Sequence, residues 1–451
     1  MQRTREDLAK LQPHYPDMIN EVIDITSKNR NVIFNMPEDE ATSRVASGNI
    51  NAIDEIDGMF AIVARNNHII RMARTLQMPL RYFIVKKVAG PALLIAERIE
   101  DIKDWLEAQG FGDQFHPSYT RMVPAHHLTE IALVGCPDPN PVCTRFFDPQ
   151  PNTQPNDITE IGTTYIRALA DNISQWLNTV PEDEPVGVLF SGGIDSGAVF
   201  LTTYHVMKSL GMNLARLKAF TLRVDGGGED SANASEFLAN LDLGMFHEVI
   251  DVPASWVNLD DAVQTIEDYK PLDIQAGAMT LALCKGIREL YPEFTYLIDG
   301  DGGDENLKDY PIEENPELTI KSVLSNQMLY QEGWGVDAIK HSLTFSGGLS
   351  RACTRGYAPM NRYGFTGFSP FMLPRVIEIA EGIPFIQLTE WDHERLYSLK
   401  GQVVSAGIFE VTGFAMPTFK KCRFQDGAAN ERAFGNDPIP FRKAFHEAFN
   451  C

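Results

Sequence analysis

The run VGVLFSGGIDSGAVFLTTYHVMKSLG (186–211) joins a short apolar stretch to a longer helical one through a glycine turn, and few folds accommodate that junction. A buried strand leading directly into a helix is the building unit of a parallel sheet covered by helices. Between them stand Ser191, Gly192, Gly193, Ile194, Asp195 and Ser196. Glycines let the turn tighten and expose successive backbone N–H groups, and the helix start adds partial positive charge, so the loop is suited to polyphosphate oxygens. The helix is expected to end at Gly211. Asp195 would be repelled by phosphate, and its natural role is to hold Mg²⁺, a cation that binds through one or two carboxylates plus substrate phosphates. The pattern G-x-x-x-x-G-K-[ST] is absent, which excludes the P-loop of ordinary NTPases.

A second loop repeats the theme. The strand-like FTYLID (294–299) runs into GDGGDENLKDY, placing Gly300, Asp301, Gly302, Gly303, Asp304 and Glu305 at a strand's carboxyl end, where open α/β sheets bind ligands. The alternating ligands and distant glutamate of an EF-hand are missing. Two acidic glycine loops on one sheet could share a metal between Asp195 and Asp304, a far more specific signal than either loop alone.

Other classes are excluded by composition. The 451 residues exceed one ordinary core and suit two domains, and 44% apolar with 22% charged residues is a globular composition. No apolar run reaches membrane-spanning length and the N-terminus lacks a signal-peptide pattern, so a cytoplasmic location is expected. A net charge of −22 disfavours nucleic acid and favours small-molecule substrates. The cysteines, Cys136, Cys143, Cys284, Cys353, Cys422 and Cys451, form no C-x-x-C pair and read as reduced thiols.

The proline- and asparagine-rich stretch 137–157 reads as a loop and domain junction, giving domains of 1–150 and 151–451. Upstream, MFAIVA (59–64), YFIVKK (82–87) and ALLIAE (92–97) predict short strands of a sheet-rich domain. Downstream, VGVLF (186–190), LKAFTLRV (217–224) and FTYLID alternate with amphipathic segments, and beyond Tyr310 the pattern is mainly helical, with turns near Gly347 and Gly364. FSGGLS (345–350) has no aspartate and no preceding strand, so it reads as a capped loop. His126 and His127 read as structural, and for His247 a structural role is at least as fitting as a functional one.

SGGIDS followed by IDGDGGDE resembles the synthetase domain of the asparagine synthetase family, a branch of the PP-loop ATP pyrophosphatases. PLDIQAGAMTLAL (271–283) and FKKCRFQDGA (419–428) extend the resemblance over residues 160–450, poorly in the helical middle. It implies an α/β fold: a C-terminal parallel-sheet PP-loop domain of the adenine nucleotide alpha hydrolase type, preceded by a smaller, degenerate Ntn-hydrolase-like sheet domain. Carried over by residue, it implies that Ser191, Gly192, Gly193 and Ser196 hold pyrophosphate and that Asp195 and Asp304 ligate Mg²⁺. Leu189, Leu222 and Gly300 fall where the family lines its adenosine pocket, largely with backbone groups. Lys421 falls on the catalytic lysine, where a cation can neutralise developing oxyanion charge. With Lys420 and Arg423 it could instead be part of a solvated basic surface.

The family's glutaminase domain uses a cysteine at the start of the chain; here position 2 is Gln2 and the first cysteine is Cys136. Residues 56–85 and TRMVPAHHL (120–128) resemble the later half of that domain, with Thr75 and Gln77 replacing its aspartate and glycine, and the stretch before Gly58 is too short for the rest. An inactive remnant is expected. Asp301 matches the acidic position of asparagine synthetases, whereas β-lactam synthetases carry a tyrosine there and a later glutamate, where this chain has Thr366, with Phe368 in place of the arginine. The expectation is an AMP-forming amide synthetase using ATP and Mg²⁺, joining a small-molecule carboxylate to ammonia or an amine, with Asp301 and Lys421 catalytic. A separate glutaminase and a second copy of the chain are candidate partners. An intramolecular, β-lactam-type synthetase and an inactive nucleotide-binding partner remain alternatives. A tRNA-modifying enzyme would carry basic charge or paired cysteines.

Overall fold

Short β-branched runs dominate the first third of the chain and long amphipathic runs the rest, and the fold divides accordingly. The computed structural model describes residues 19, 21–27, 30–133, 141–309, 312, 318–332, 353–419, 427–428 and 441–449. They form two units: one contains residues up to Asp148 with Glu332 and 446–449, the other Pro149–Gln331 and 353–445.

The first unit carries β1 (Glu21–Asp24), β2 (Val32–Ile33), α1 (Glu38–Ser47), β3 (Gly58–Met59), β4 (Ala61–Asn66), β5 (Ile69–Arg74), β6 (Arg81–Val85), β7 (Ala92–Ala96), α2 (Ile99–Ala108), β8 (Arg121–Met122), β9 (His127–Ala132) and β10 (Val142–Arg145). One sheet has the order β1-β7-β6-β8, another β10-β9-β5-β4, and β2 pairs with β3. The α2 side chains Ile102 and Leu106 close a core with Phe83, Val85 and Leu94, each buried side chain stabilising the fold by roughly 1.5–3 kcal/mol. Within the loop expected over 137–157, residues 142–145 instead form β10, because Val142–Arg145 find antiparallel partners in Glu130–His127. The segment TRMVPAHHL (120–128) contributes to two strands, β8 and β9. Pro124 has no N–H to donate, and His126 takes a left-handed φ of 56° between them.

A buried ionic cluster lies in the same unit. Arg145 grips Glu332 through two bonds of 2.9 and 2.6 Å, and His126 Nδ1 lies 3.3 Å from Glu332 Oε1. Burial alone would raise the Glu332 carboxyl, but His126 and Arg145 outweigh it and hold the group down at about 2. Burial lowers His126, which is therefore neutral near pH 7.

In the second unit α3 (Ile158–Leu177) precedes β11 (Val186–Leu189), α4 (Ile194–Ser209), β12 (Leu217–Val224), α5 (Asp230–Ala239), β13 (His247–Val252), α6 (Pro271–Leu290), β14 (Tyr296–Ile298), β15 (Thr366–Phe368) and α7 (His393–Thr412). The sheet is parallel throughout, in the order β13-β12-β11-β14-β15. Beyond Tyr310 a mainly helical pattern is expected, and within it the short strand β15 pairs with β14 and forms this edge. Phe368, fully buried, stacks on Trp176 with ring centroids 4.8 Å apart, so position 368 serves the core rather than the crevice. From β11 the chain adds β12 and β13 on one side and β14 on the other, so the strand order reverses between β11 and β14, and the loops leaving these strands flank the crevice. Among the described residues no helix is long and apolar enough to cross a membrane.

Candidate active site at the switch point

The loop after β11 is held open by its own serines. Ser191 N donates to Ser196 Oγ (3.2 Å), Gly193 N to Ser191 Oγ (3.3 Å), and Ser196 Oγ to the Gly193 carbonyl (3.3 Å). Gly192 adopts φ +76° and packs against the middle of α5, where a methyl group would come within 2.8 Å of Ala234 N. A side chain is thus excluded on both grounds. Gly193 caps α4, which starts at Ile194 with Asp195 in its first turn.

The second loop lies against the first. A methyl group on Gly300 would come within 2.7 Å of Ser196 N, and one on Gly303 would overlap the Asp195 carboxylate. Gly303–Asn306 is a single helical turn that carries Asp304 and Glu305. Asp195 and Asp304 converge, and between them stands Lys400, which neither loop announced: its ammonium donates to Asp195 Oδ2 (2.5 Å) and to Asp304 Oδ1, with Asp309 Oδ2 at 3.4 Å. Burial would lower the Lys400 pKa, but the three aspartates outweigh it and hold it well above its usual value.

Lys400 reaches this point because α7 crosses α3 at the closest approach helices allow. A methyl group on Gly162 would overlap the Val403 carbonyl, and one on Gly407 the Gly162 carbonyl. Leu396, Lys400, Val403 and Gly407 form one buried stripe, so a charge within an apolar stripe is the signal in the sequence that points to Lys400.

Further acids gather behind the second loop. Asp299 Oδ1 accepts the Asp301 amide (3.1 Å). Burial, joined by the charge of Glu305, lifts Asp299 to about 7. Burial also raises Asp301 well above the carboxylate range, with Asp299 and Glu305 adding to it and Arg355 opposing. Arg355 is ion-paired to Asp273 at 2.8 Å, and Gly356 lies so close to the Asp299 and Asp301 carboxyls that a methyl group would overlap the former.

Of the residues expected to line an adenosine site, Leu189 ends β11 half-buried and Gly300 begins the second loop. The Leu222 side chain is buried in the core with Phe220 and Ile250 and does not itself line an open site. Lys421, with Lys420, Cys422 and Arg423, lies outside the described residues, as does FSGGLS. His247 binds Thr221 Oγ1 (2.9 Å) and Ser235 Oγ (3.2 Å), tying β13 to β12 and α5 as a structural histidine does. Cys143 and Cys284 are free thiols.

The family model for asparagine synthase matches residues 177–343, the span from the end of α3 through both loops. This stretch is a domain of the asparagine synthetase family. The match supports an ATP-dependent, amide-forming ligase, a carbon–nitrogen ligase in kind. A comparison with curated proteins found no match.

A magnesium ion fits this domain's crevice on its donor set. Among the described residues no three-ligand His/Cys/Asp/Glu cage exists, but Mg²⁺ needs only one or two carboxylates beside phosphates and water. Asp195 and Asp304 already share one cation on their inner sides, and keep 20% and 27% of their side-chain surface exposed. Three aspartates against one ammonium leave negative charge over.

Proposed function

We propose that this protein is an AMP- and pyrophosphate-forming amide synthetase that adenylates a small-molecule carboxylate and passes the acyl group to ammonia or an amine. One observation carries the reading: the two glycine loops touch, and their aspartates converge on a common cation with negative charge to spare. On this reading the 191–196 turn donates backbone N–H groups to the β- and γ-phosphates of ATP. Asp195 and Asp304 would hold Mg²⁺ on their water-facing sides, where the ion would supply charge neutralisation to pyrophosphate. Holding the two terminal phosphates together leaves the α-phosphorus as the point of attack, so the substrate carboxylate expels pyrophosphate.

The attacking amine must lose a proton as it joins the acyl carbon and AMP departs. Asp299, poised near neutrality just before the second loop, is suited to take it, with Asp301 beside it in that loop. Lys421 is assigned the oxyanion and leaving phosphate. For nitrogen, we infer ammonia or an amine rather than glutamine. Supporting this, Arg74 in the first unit donates to the carbonyls of Val123 (2.5 Å) and Thr75 (3.2 Å), and Thr75 Oγ1 accepts the Phe60 amide (3.1 Å). These groups serve the fold. We assign that unit as a degenerate glutaminase-like domain.

Carboxylate-dependent exchange of labelled pyrophosphate into ATP, run across a panel of acids, tests the proposal. Exchange with one acid class, and AMP as the product once an amine is added, is expected; stoichiometric ADP and phosphate would contradict it. Amide-labelled glutamine should leave no label in the product.

A further inference from the structure

His247 is tied to the 191–196 loop from two sides. Thr221 Oγ1 donates to the Phe190 carbonyl (2.6 Å), the last carbonyl before Ser191. A hydroxyl has one hydrogen to give, so towards His247 Nε2, 2.9 Å away, Thr221 can only accept. Nε2 therefore carries the imidazole hydrogen. Burial lowers the His247 pKa, with Glu248 opposing it, which leaves the ring neutral near pH 7 and Nδ1 an acceptor. The Ser235 hydroxyl is shared between Nδ1 (3.2 Å) and the Ser231 carbonyl (2.8 Å), so the same ring holds α5.

Both ties reach the loop. In a trans peptide the carbonyl and the following N–H point in opposite directions, so fixing the Phe190 carbonyl aims the Ser191 N–H, which donates to Ser196 Oγ (3.2 Å). Helix α5 seats Gly192 at Ala234, and its Phe237 ring fills the space that a methyl group on Gly197 of α4 would need. Phe237 and His247 both meet the Phe190 ring edge-on, with centroids 5.4 and 6.3 Å away. Resting on the assignment of residues 191–196 to pyrophosphate, we propose that His247 and Thr221 are positioning residues for that loop: they set the direction of its first peptide and the seat of its second residue. They act through the loop rather than on the ligand. Loop N–H groups would hold the phosphates alike before and during reaction, so a misaligned loop weakens ATP binding and spares the rate once ATP is bound. A histidine that served stability alone would do the reverse, lowering the active fraction and hence kcat at unchanged KM.

Calorimetry with inorganic pyrophosphate and Mg²⁺, beside KM and kcat in pyrophosphate exchange, reads this split. His247→Ala should raise the pyrophosphate Kd and the KM for ATP about tenfold, the scale of one buried hydrogen bond, with kcat and the KM for the acid held. Thr221→Val, which keeps the ring and the shape of the side chain, should do the same and decides the matter if His247→Ala fails to fold. A glutamine can place its amide nitrogen where Nε2 stands, and an asparagine only where Nδ1 stands. His247→Gln should therefore restore ATP affinity and His247→Asn should not, whatever the order of their urea midpoints. Wild-type affinities in all four variants, or affinities that follow the urea midpoint rather than the bond to Thr221, would overturn the inference. A wild type that binds pyrophosphate but exchanges with no acid would sink the proposed function alone. One that binds no pyrophosphate would sink the loop's assignment, and the inference with it.

Discussion

Two buried ionic clusters, one in each unit, follow opposite rules. Around Glu332 a carboxylate meets one guanidinium and a neutral imidazole, and the charges cancel although the Arg145 side chain stays partly exposed. Around Lys400 a single ammonium faces Asp195, Asp304 and Asp309, and two of the three carboxylates remain partly in water. The first arrangement is complete without a ligand. The second is electrostatically unfinished, and a divalent cation with its phosphates is what would finish it. Charge balance, rather than burial, separates the structural cluster from the functional one.

The comparison breaks most readily at the metal-facing side. Asp304→Asn should lower pyrophosphate exchange by about 10³-fold, and it should also lower the denaturation midpoint, though by less than loss of the ammonium, because Asp195 and Asp309 still face Lys400; near wild-type exchange would place the metal elsewhere. Lys400→Met should destabilise the second unit by about 3 kcal/mol, the low end for breaking a buried pair because two partners keep some water. Mg²⁺ should recover more of that loss in the variant than it adds to the wild type, as urea titrations with and without Mg²⁺ would measure. Glu332→Gln should cost about 2–3 kcal/mol in the first unit and leave exchange kinetics alone. The same carboxyl, depressed when folded, contributes stability above its unfolded value of about 4.3 that is lost as pH falls toward 2; an acid limb identical in wild type and variant would contradict the pairing. The smallest effect is expected for Gly303→Ala, roughly 1–3 kcal/mol as the methyl group displaces the Asp195 carboxylate.

What could be read in advance follows the same division. Both glycine loops, the strands β11, β12 and β14 and the helix after Ser191 were legible because strand, turn and helix are contiguous in sequence. Lys400 and Arg355 were not: each reaches the site from a segment with no motif of its own, Lys400 standing 96 residues beyond Asp304. Asp299 was hidden differently, as the last residue of a strand-like run whose carboxyl matters only once Asp301 and Glu305 close around it. The edge strand β15 escaped because three residues carry no period, and β10 because prolines and asparagines on either side masked it.

The contact between Gly162 and Gly407 has a consequence for how this protein can diversify. Where main chain rests on main chain there is no side chain to exchange, so neither helix can roll or slide in small steps, and the ammonium two turns from Gly407 inherits that rigidity. The strand β15 and the segment around Arg355 meet their neighbours through side chains, Gly356 against the Asp299 carboxyl and Gly367 against Met360, and among the described residues no main chain presses on main chain at either glycine. On the proposed function, selection for a new acid would rework one wall of the crevice while the wall assigned to the nucleotide stays fixed, a scaffold with one adjustable jaw.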